Sequence, residues 1–267
     1  MKFGVQTGLL PGDALIDKFR KAKQYGFEGI EAWGWDLKGN VDAYKEASKA
    51  TGLPISSVCL GFEGCLLSPK PEERQKAVDG IVELLTLGDT INPDEGCHLV
   101  APPIFGPPQI NDLSPLKSAV ELEYELLILL CKEIARRVEG RKSILLLEPL
   151  NRYEQHLLRR MTDTKRVVDA VGSPNIQAMF DFFHFNIEAP DIAKEIEESF
   201  DCIRHFHLAS SHRMEPGTGH IAYEKYLPII KKRGFKGYLV LECGLSGPAD
   251  EVLPKSLQYL RRCAEGG

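Results

Sequence analysis

The chain has 267 residues, of which 43% are hydrophobic and 27% charged, and its formal net charge is −5. This composition is that of an ordinary globular protein, and the length suits one large α/β barrel, so we expect a single domain over residues 1–267. The acidic balance disfavours a nucleic-acid partner, because a phosphate backbone is bound by a concentrated basic face. Since no segment is typical of a signal peptide or a membrane span, the sequence predicts a soluble, cytoplasmic protein.

Short apolar runs alternate with helical patterns along the whole chain. Eight of these runs have the length and composition of β-strands. They cover approximately residues 2–7, 28–33, 55–60, 97–101, 143–148, 176–181, 203–208 and 237–242. Helical periodicity is clearest in residues 13–25, 74–88 and 118–138. An alternation of eight strands with helices predicts an α/β fold, a single (β/α)8 TIM barrel.

The ends of three predicted helices support this arrangement. Gly26, Gly52 and Gly234 each have a basic residue within the three preceding positions and precede an apolar run within a few residues. Glycine provides the left-handed conformation that ends a helix, and a short connection favours a parallel strand beside that helix. An open doubly wound sheet is disfavoured, because residues 6–12 after the first strand do not form a GxGxxG phosphate turn.

Two connections are long for a compact barrel. Residues 61–70 and the proline-rich residues 102–113 both follow predicted strand ends. We expect them to wall the functional site, since barrel sites lie on the side where the strands end. For residues 61–70, a steric lead-in to the helix over 74–88 is the alternative interpretation.

The seven cysteines indicate a reduced protein. They form no CxxC pair and are scattered at long spacing, which argues against a disulfide framework and against a structural zinc site. Most are expected to be buried thiols. Cys243 directly follows Glu242, so for this thiol both core packing and a functional role stay open.

An acid or imidazole side chain closes each of four successive apolar runs in the second half of the chain. These residues are Glu148, Asp181, His207 and Glu242. They are about 26 to 35 residues apart, roughly one strand–helix unit, and catalytic groups of barrels lie at the carboxyl ends of strands. A single glutamate in such a place is commonly a capping or loop residue, but the joint pattern predicts a site for one divalent metal ion. Oxygen-rich ligation favours Mn²⁺ or Mg²⁺, although Co²⁺, iron and Zn²⁺ accept the same ligands.

Polar residues beyond these four extend the predicted site. Glu154 follows the fifth strand, His184 lies one helical turn beyond its neighbouring ligand, and Arg213 lies on the loop after the seventh strand, where a guanidinium can hold a substrate oxygen. His205 has two interpretations of equal weight. It either donates a hydrogen bond to a metal-binding side chain without contacting the metal, or it simply fills the barrel interior. His156 and His212 are expected to be exposed loop residues.

With these residues the sequence resembles the xylose isomerase-like TIM barrel superfamily, in particular sugar isomerases and epimerases of the tagatose/psicose 3-epimerase and hydroxypyruvate isomerase type. The motifs are E-P-x-N-R-x-E over 148–154, D-x-x-H over 181–184, H-x(5)-R over 207–213 and the run that ends at Glu242. The resemblance spans essentially the whole chain and implies that the four strand-end residues bind one divalent metal ion, for which the ligand chemistry makes Mn²⁺ the preferred metal. It further implies that Glu148 and Glu242 act as acid/base groups and that Glu154, His184 and Arg213 contact the substrate or steady the site.

Such a site implies an isomerase that acts on a sugar or sugar derivative through a metal-stabilised ene-diolate. The same enolising chemistry would also support a dehydratase of the inosose dehydratase type. A nuclease of the endonuclease IV type is less favoured, because Gly217-Thr-Gly-His220 lacks the aspartate of a D-x-H ligand pair. A non-catalytic sugar-binding barrel would have an incomplete ligand set. The sugar, its phosphorylation and whether the protein forms a homo-oligomer stay open.

Overall fold

The computed structural model describes residues 1–266 and shows a closed barrel of eight parallel strands, each paired with the next and β8 paired with β1. The strands are β1 Lys2–Gln6, β2 Gly29–Trp33, β3 Ile55–Cys59, β4 His98–Ala101, β5 Leu145–Leu147, β6 Ile176–Asp181, β7 Ile203–Leu208 and β8 Tyr238–Leu241. The predicted single (β/α)8 barrel is therefore confirmed, and each observed strand lies within the predicted run.

Helices surround the barrel. They are α1 Leu15–Tyr25, α2 Gly34–Gly39, α3 Val41–Thr51, α4 Pro71–Ile91, α5 Ala119–Arg137, α6 Met161–Val171, α7 Phe182–Glu188, α8 Ile192–Ser199, α9 Tyr223–Lys232 and α10 Ala249–Glu265, with short 3₁₀ turns at Thr7–Leu9 and Phe200–Cys202. The three predicted glycine junctions have positive φ angles of 95° at Gly26, 72° at Gly52 and 75° at Gly234. No helix among residues 1–266 combines the length and the apolar character that a membrane crossing requires.

Successive side chains along each strand point to opposite faces of the sheet, so the buried residues form two layers. Residues such as Val58, Leu145 and Phe180 pack in the large core between the sheet and the helices. Their inward neighbours Cys59, Val100, Leu146 and Met179 form a second, small apolar cluster that belongs to β3–β6. Elsewhere the lumen contains polar side chains, among them Gln6, Glu31 and His207, and this division places the functional groups.

Candidate active site

The four predicted strand-end residues come together at the carboxyl ends of the strands. Glu148 follows β5, Asp181 ends β6, His207 lies in β7 and Glu242 follows β8. One oxygen or nitrogen atom from each lies within 4.8 Å of the corresponding atoms of the others. These side chains are buried, except that Glu242 remains 16% exposed. The parallel register delivers them to one end of the barrel although nearly a hundred residues separate the first from the last.

The orientation of Asp181 is set by the helix that follows it. Asp181 is the N-cap of α7, and its Oδ1 accepts hydrogen bonds from the backbone N–H groups of Phe183 at 2.7 Å and His184 at 3.4 Å. A capping oxygen held in this way fixes the carboxylate. The second oxygen, Oδ2, is thereby turned toward the cluster.

The imidazole of His207 lies between two groups of acids. Its Nδ1 is 3.0 Å from Glu242 Oε2, 3.7 Å from Glu148 Oε1 and 3.9 Å from Asp181 Oδ2, and it has no partner in hydrogen-bonding geometry. Its Nε2 points the other way, to the carboxylate of Glu31 at 3.0 and 3.1 Å. The unpartnered nitrogen therefore faces the three carboxylates.

Arg213 spans two of those carboxylates. Its Nη1 donates to Asp181 Oδ2 at 2.6 Å, and its Nη2 donates to Glu242 Oε2. The guanidinium also lies over the ring of Phe183, 4.8 Å from its centroid. Arg213 has a φ of 63°, a left-handed conformation uncommon for a residue with a side chain, which its loop holds through a hydrogen bond to Ser210. The loop after β7 thus aims one cation at the cluster.

A second polar chain joins the cluster to the loop after β5. His184 Nε2 is 3.7 Å from Asp181 Oδ2, and its Nδ1 accepts from the backbone N–H of Asn151 at 3.2 Å. Because Nδ1 accepts, the proton resides on Nε2, the nitrogen that faces the site. Asn151 also donates to Glu154 at 2.7 Å, and the Glu154 side chain is 43% exposed. His184 and Glu154 therefore occupy the mouth beside the cluster.

Burial and neighbouring charges shift the pKa values of Glu148 and Glu242 in opposite directions. Burial raises the pKa of Glu148, and the neighbouring charge of Glu242 raises it further. Burial also acts to raise the pKa of Glu242, but the charges of His207 and Arg213 outweigh it and hold that pKa well below its ordinary value. Two carboxyl groups whose pKa values are displaced in opposite directions are suited to different acid and base roles.

These residues fit a divalent metal ion by their chemistry. The cluster offers carboxylate oxygens and the unpartnered Nδ1 of His207, a donor set that Mn²⁺ and Mg²⁺ accept. Thiolates are not part of it, because burial raises the pKa of Cys59 well above its ordinary value and that of Cys243 to about 12. The described residues thus contain a cluster that can hold a hard cation.

One of three further histidines departs from the sequence-based expectation. His156 is wrongly predicted as exposed, since it is largely buried and its two ring nitrogens contact Gly106 and the buried Glu123. His212 is exposed, as expected. His205 is 1% exposed with its Nε2 3.1 Å from Glu31, so it fills the barrel and also faces a polar partner.

Glu31 is the main residue of the site that was not predicted from the sequence. It is fully buried in β2 and contacts both His205 and His207. A signal for it was available, because a glutamate within the apolar run Gly29–Trp33 requires partners if it is buried. Those partners lie on distant strands, so only the closed barrel identifies them.

Comparison with known proteins assigns the family. Residues 19–263 match the family model described as xylose isomerase-like TIM barrel, and the chain belongs to this family. The chain is 29% identical to the 3-dehydro-D-guloside 4-epimerase of Escherichia coli K12, over 98% of this chain and all of that protein. It is 25% identical to the hydroxypyruvate isomerase of the same organism, over 91% and 93% of the two chains.

Solved structures agree with this assignment. The apo 3-keto-D-glucoside 4-epimerase of E. coli superposes with a TM-score of 0.88 at 27% identity, over 98% of this chain and all of that one. The D-psicose 3-epimerase of Clostridium cellulolyticum H10 superposes with a TM-score of 0.84, but at 19% identity over 99% of each chain it supports the fold alone. The expected isomerase-class enzyme is confirmed, and these relatives support a sugar epimerase or isomerase function.

Proposed function

We propose that this protein is a divalent-metal-dependent epimerase of a keto sugar, and that its substrate is a 3-keto-glycoside inverted at C4. The observation that carries the proposal is the cluster of Glu148, Asp181, His207 and Glu242 at the barrel mouth. The choice of substrate is supported by the names of full-length E. coli relatives, which state 4-epimerisation of a 3-dehydro-guloside and of a 3-keto-glucoside. A ketone at C3 acidifies the adjacent C4–H bond, which is the bond that such an inversion breaks.

The four clustered side chains are proposed to hold one ion, with Mn²⁺ as the preferred metal and Mg²⁺, Co²⁺ or Zn²⁺ as alternatives. When bound, a divalent cation polarises the substrate carbonyl and lowers the cost of the negative charge that develops on its oxygen. Asp181 and His207 are proposed to act as ligands only. Their burial and fixed orientation suit that role.

Glu148 and Glu242 are proposed to move the proton. One carboxylate removes it from the carbon next to the carbonyl, and the substrate becomes a planar ene-diolate. The other carboxyl group returns a proton to the opposite face, which inverts the configuration. The two groups lie in different electrostatic environments, which supports this division of roles.

Three further residues are proposed to bind the substrate. Arg213 and His184 each present an N–H donor toward the cluster, suited to hydroxyl or carbonyl oxygens. Glu154 is exposed at the mouth, where it can accept from a sugar hydroxyl. A small-molecule substrate suits these contacts, and the sequence-based prediction of a cytoplasmic location completes the proposal.

The test uses Glu148→Gln and Glu242→Gln in an assay with a 3-keto-glucoside and Mn²⁺ in D₂O. Each replacement removes a proton-transfer group but leaves an oxygen, so turnover should fall by on the order of 10² to 10⁴. The wild-type product should carry deuterium at C4, since a carboxyl proton exchanges with solvent. Glu133→Gln, an exposed change far from the mouth, is the matched control.

The alternatives give different products and metal contents. A fully active Glu242→Gln enzyme, or a product without deuterium, would contradict the proton-transfer mechanism. Loss of water from an inosose would indicate the dehydratase, and three zinc ions per chain would indicate the nuclease. Turnover of a ketose or of hydroxypyruvate, with none of the 3-keto-glucoside, would retain the mechanism and change the substrate.

A further inference from the structure

A fully buried polar cluster lies on the side of His207 that faces away from the three carboxylates. Its centre is Glu31 of β2, whose register neighbours are Gln6 in β1 and Ser57 in β3. Gln6 Nε2 donates to Glu31 Oε1 at 2.8 Å, and the hydroxyl of Ser57 donates to Oε2 at 2.7 Å. The Nε2 atoms of His205 and His207 lie 3.1 Å and 3.0 Å from the same carboxylate.

This polar cluster is not required for closing the barrel. On the opposite side of the lumen, Val100, Leu146 and Met179 fill the space with apolar groups alone. Burying a carboxylate is unfavourable unless donors surround it, so an apolar residue at position 31 would fill the space at lower free-energy cost. The presence of Glu31 with its donors therefore points to a role in the site above it.

The geometry defines that role. His207 Nε2 donates a hydrogen bond to the carboxylate of Glu31, which leaves Nδ1 as the ring nitrogen available to a metal ion. That nitrogen faces Glu148, Asp181 and Glu242. A histidine that donates its far N–H to a carboxylate is fixed in both ring orientation and tautomer, and its ligating nitrogen becomes more basic.

We propose that Glu31 is a positioning residue that holds His207 with Nδ1 directed into the carboxylate cluster. Gln6 extends the effect, because its Nε2 also donates to Glu242 Oε1 at 3.1 Å and so ties a second member of the cluster to Glu31. This inference rests on the proposed function in one respect, namely that His207 binds the metal.

A second metal ion is the competing explanation. Glu31, His205 and His207 also place one donor atom each within 4.8 Å of one another. Both oxygens of Glu31 already accept from Gln6 and Ser57, however, and His207 would have to bridge two ions. The hydrogen bonds from Gln6, Ser57 and His207 account for both oxygens of Glu31 without that bridge, so a single metal ion per chain is expected.

The experiment compares Glu31→Gln with Glu123→Gln. Glu123 is the matched control, because it is equally buried and also contacts a histidine, His156, but lies outside the cluster. Mn²⁺ affinity of the metal-stripped, folded proteins is measured by calorimetry, and circular dichroism verifies folding. We expect Glu31→Gln to weaken Mn²⁺ binding by about 10- to 100-fold and Glu123→Gln to leave it close to the wild-type value.

Equal Mn²⁺ affinity in wild type and Glu31→Gln would overturn the inference, as would two ions per wild-type chain. A wild-type protein that binds no Mn²⁺ would instead contradict the proposed function. If Glu31→Gln does not fold, ¹⁵N spectra of the histidines in the Zn²⁺-loaded wild type decide. They should show the proton of His207 on Nε2, and a proton on Nδ1 would overturn the assignment.

Discussion

The bridge that Arg213 makes between Asp181 and Glu242 leads to a prediction about stability. Its two N–H donors engage Asp181 Oδ2 and Glu242 Oε2, the oxygens closest to the unpartnered nitrogen of His207 in each carboxylate. A metal ion in the cluster would neutralise the same carboxylates. Arg213 and the metal should therefore substitute for each other electrostatically, and Arg213→Met separates the two contributions.

The magnitude follows from burial. Removing one partner of a fully buried ion pair costs about 3 to 5 kcal/mol, and because the Arg213 side chain is 30% exposed we expect about 2 kcal/mol for the metal-free variant. At roughly 2 to 4 °C per kcal/mol, its midpoint of thermal unfolding should be about 4 to 8 °C below wild type. With Mn²⁺ bound, the metal neutralises the carboxylates in place of Arg213. The difference in unfolding midpoint between Arg213→Met and wild type should then nearly vanish.

The assay is thermal unfolding of both proteins without metal and with Mn²⁺ at about 100 times its dissociation constant. The thermodynamic cycle then requires Mn²⁺ to bind the variant more tightly, by up to about 30-fold for 2 kcal/mol. The control is Arg160→Met, which removes the partner of the buried Glu195 away from the cluster and should lower stability equally with and without Mn²⁺. If the difference in unfolding midpoint between Arg213→Met and wild type is the same with and without Mn²⁺, then Arg213 and the metal do not neutralise the same carboxylates.

Two other predictions concern stability. Burial, together with the charges of His205 and Arg204, lowers the pKa of His98 to about 4, so the unfolded chain binds the proton more tightly. Stability should therefore fall as the pH drops from about 6.5 toward 4, by on the order of 2 kcal/mol, and denaturant titrations of His98→Gln should show a flatter dependence. Gly34→Ala should lower the free energy of unfolding by more than about 2 kcal/mol, because the added Cβ would lie 2.1 Å from the Leu60 carbonyl oxygen. The control is Gly39→Ala, whose Cβ meets nothing within 4 Å and which should stabilise α2 slightly in the same denaturant titrations.

The strand pattern and the strand-end residues are determined locally, and so the sequence alone predicts them. Apolar runs bounded by glycine junctions at Gly26, Gly52 and Gly234 define the order of strands and helices, since each signal depends on residues close in the chain. Parallel strands present their carboxyl ends at one edge, so Glu148 and Glu242 are expected to meet once eight strands are counted. The short helices α2 and α7 could not be predicted in this way, because one or two turns carry too little periodicity.

Contacts across the lumen depend on closure of the barrel, which no local pattern specifies. Glu31 meets His207 across 176 positions of sequence, and Gln6 meets Glu242 across 236. The register of β1, β2 and β8 determines which side chains share a layer, and a shift by one residue would turn each side chain to the other face of the sheet. The bridge from Arg213 likewise depends on the left-handed turn in its loop. The identities of the acids were therefore readable in the chain, while their hydrogen-bond partners and orientations follow only from the closed tertiary structure.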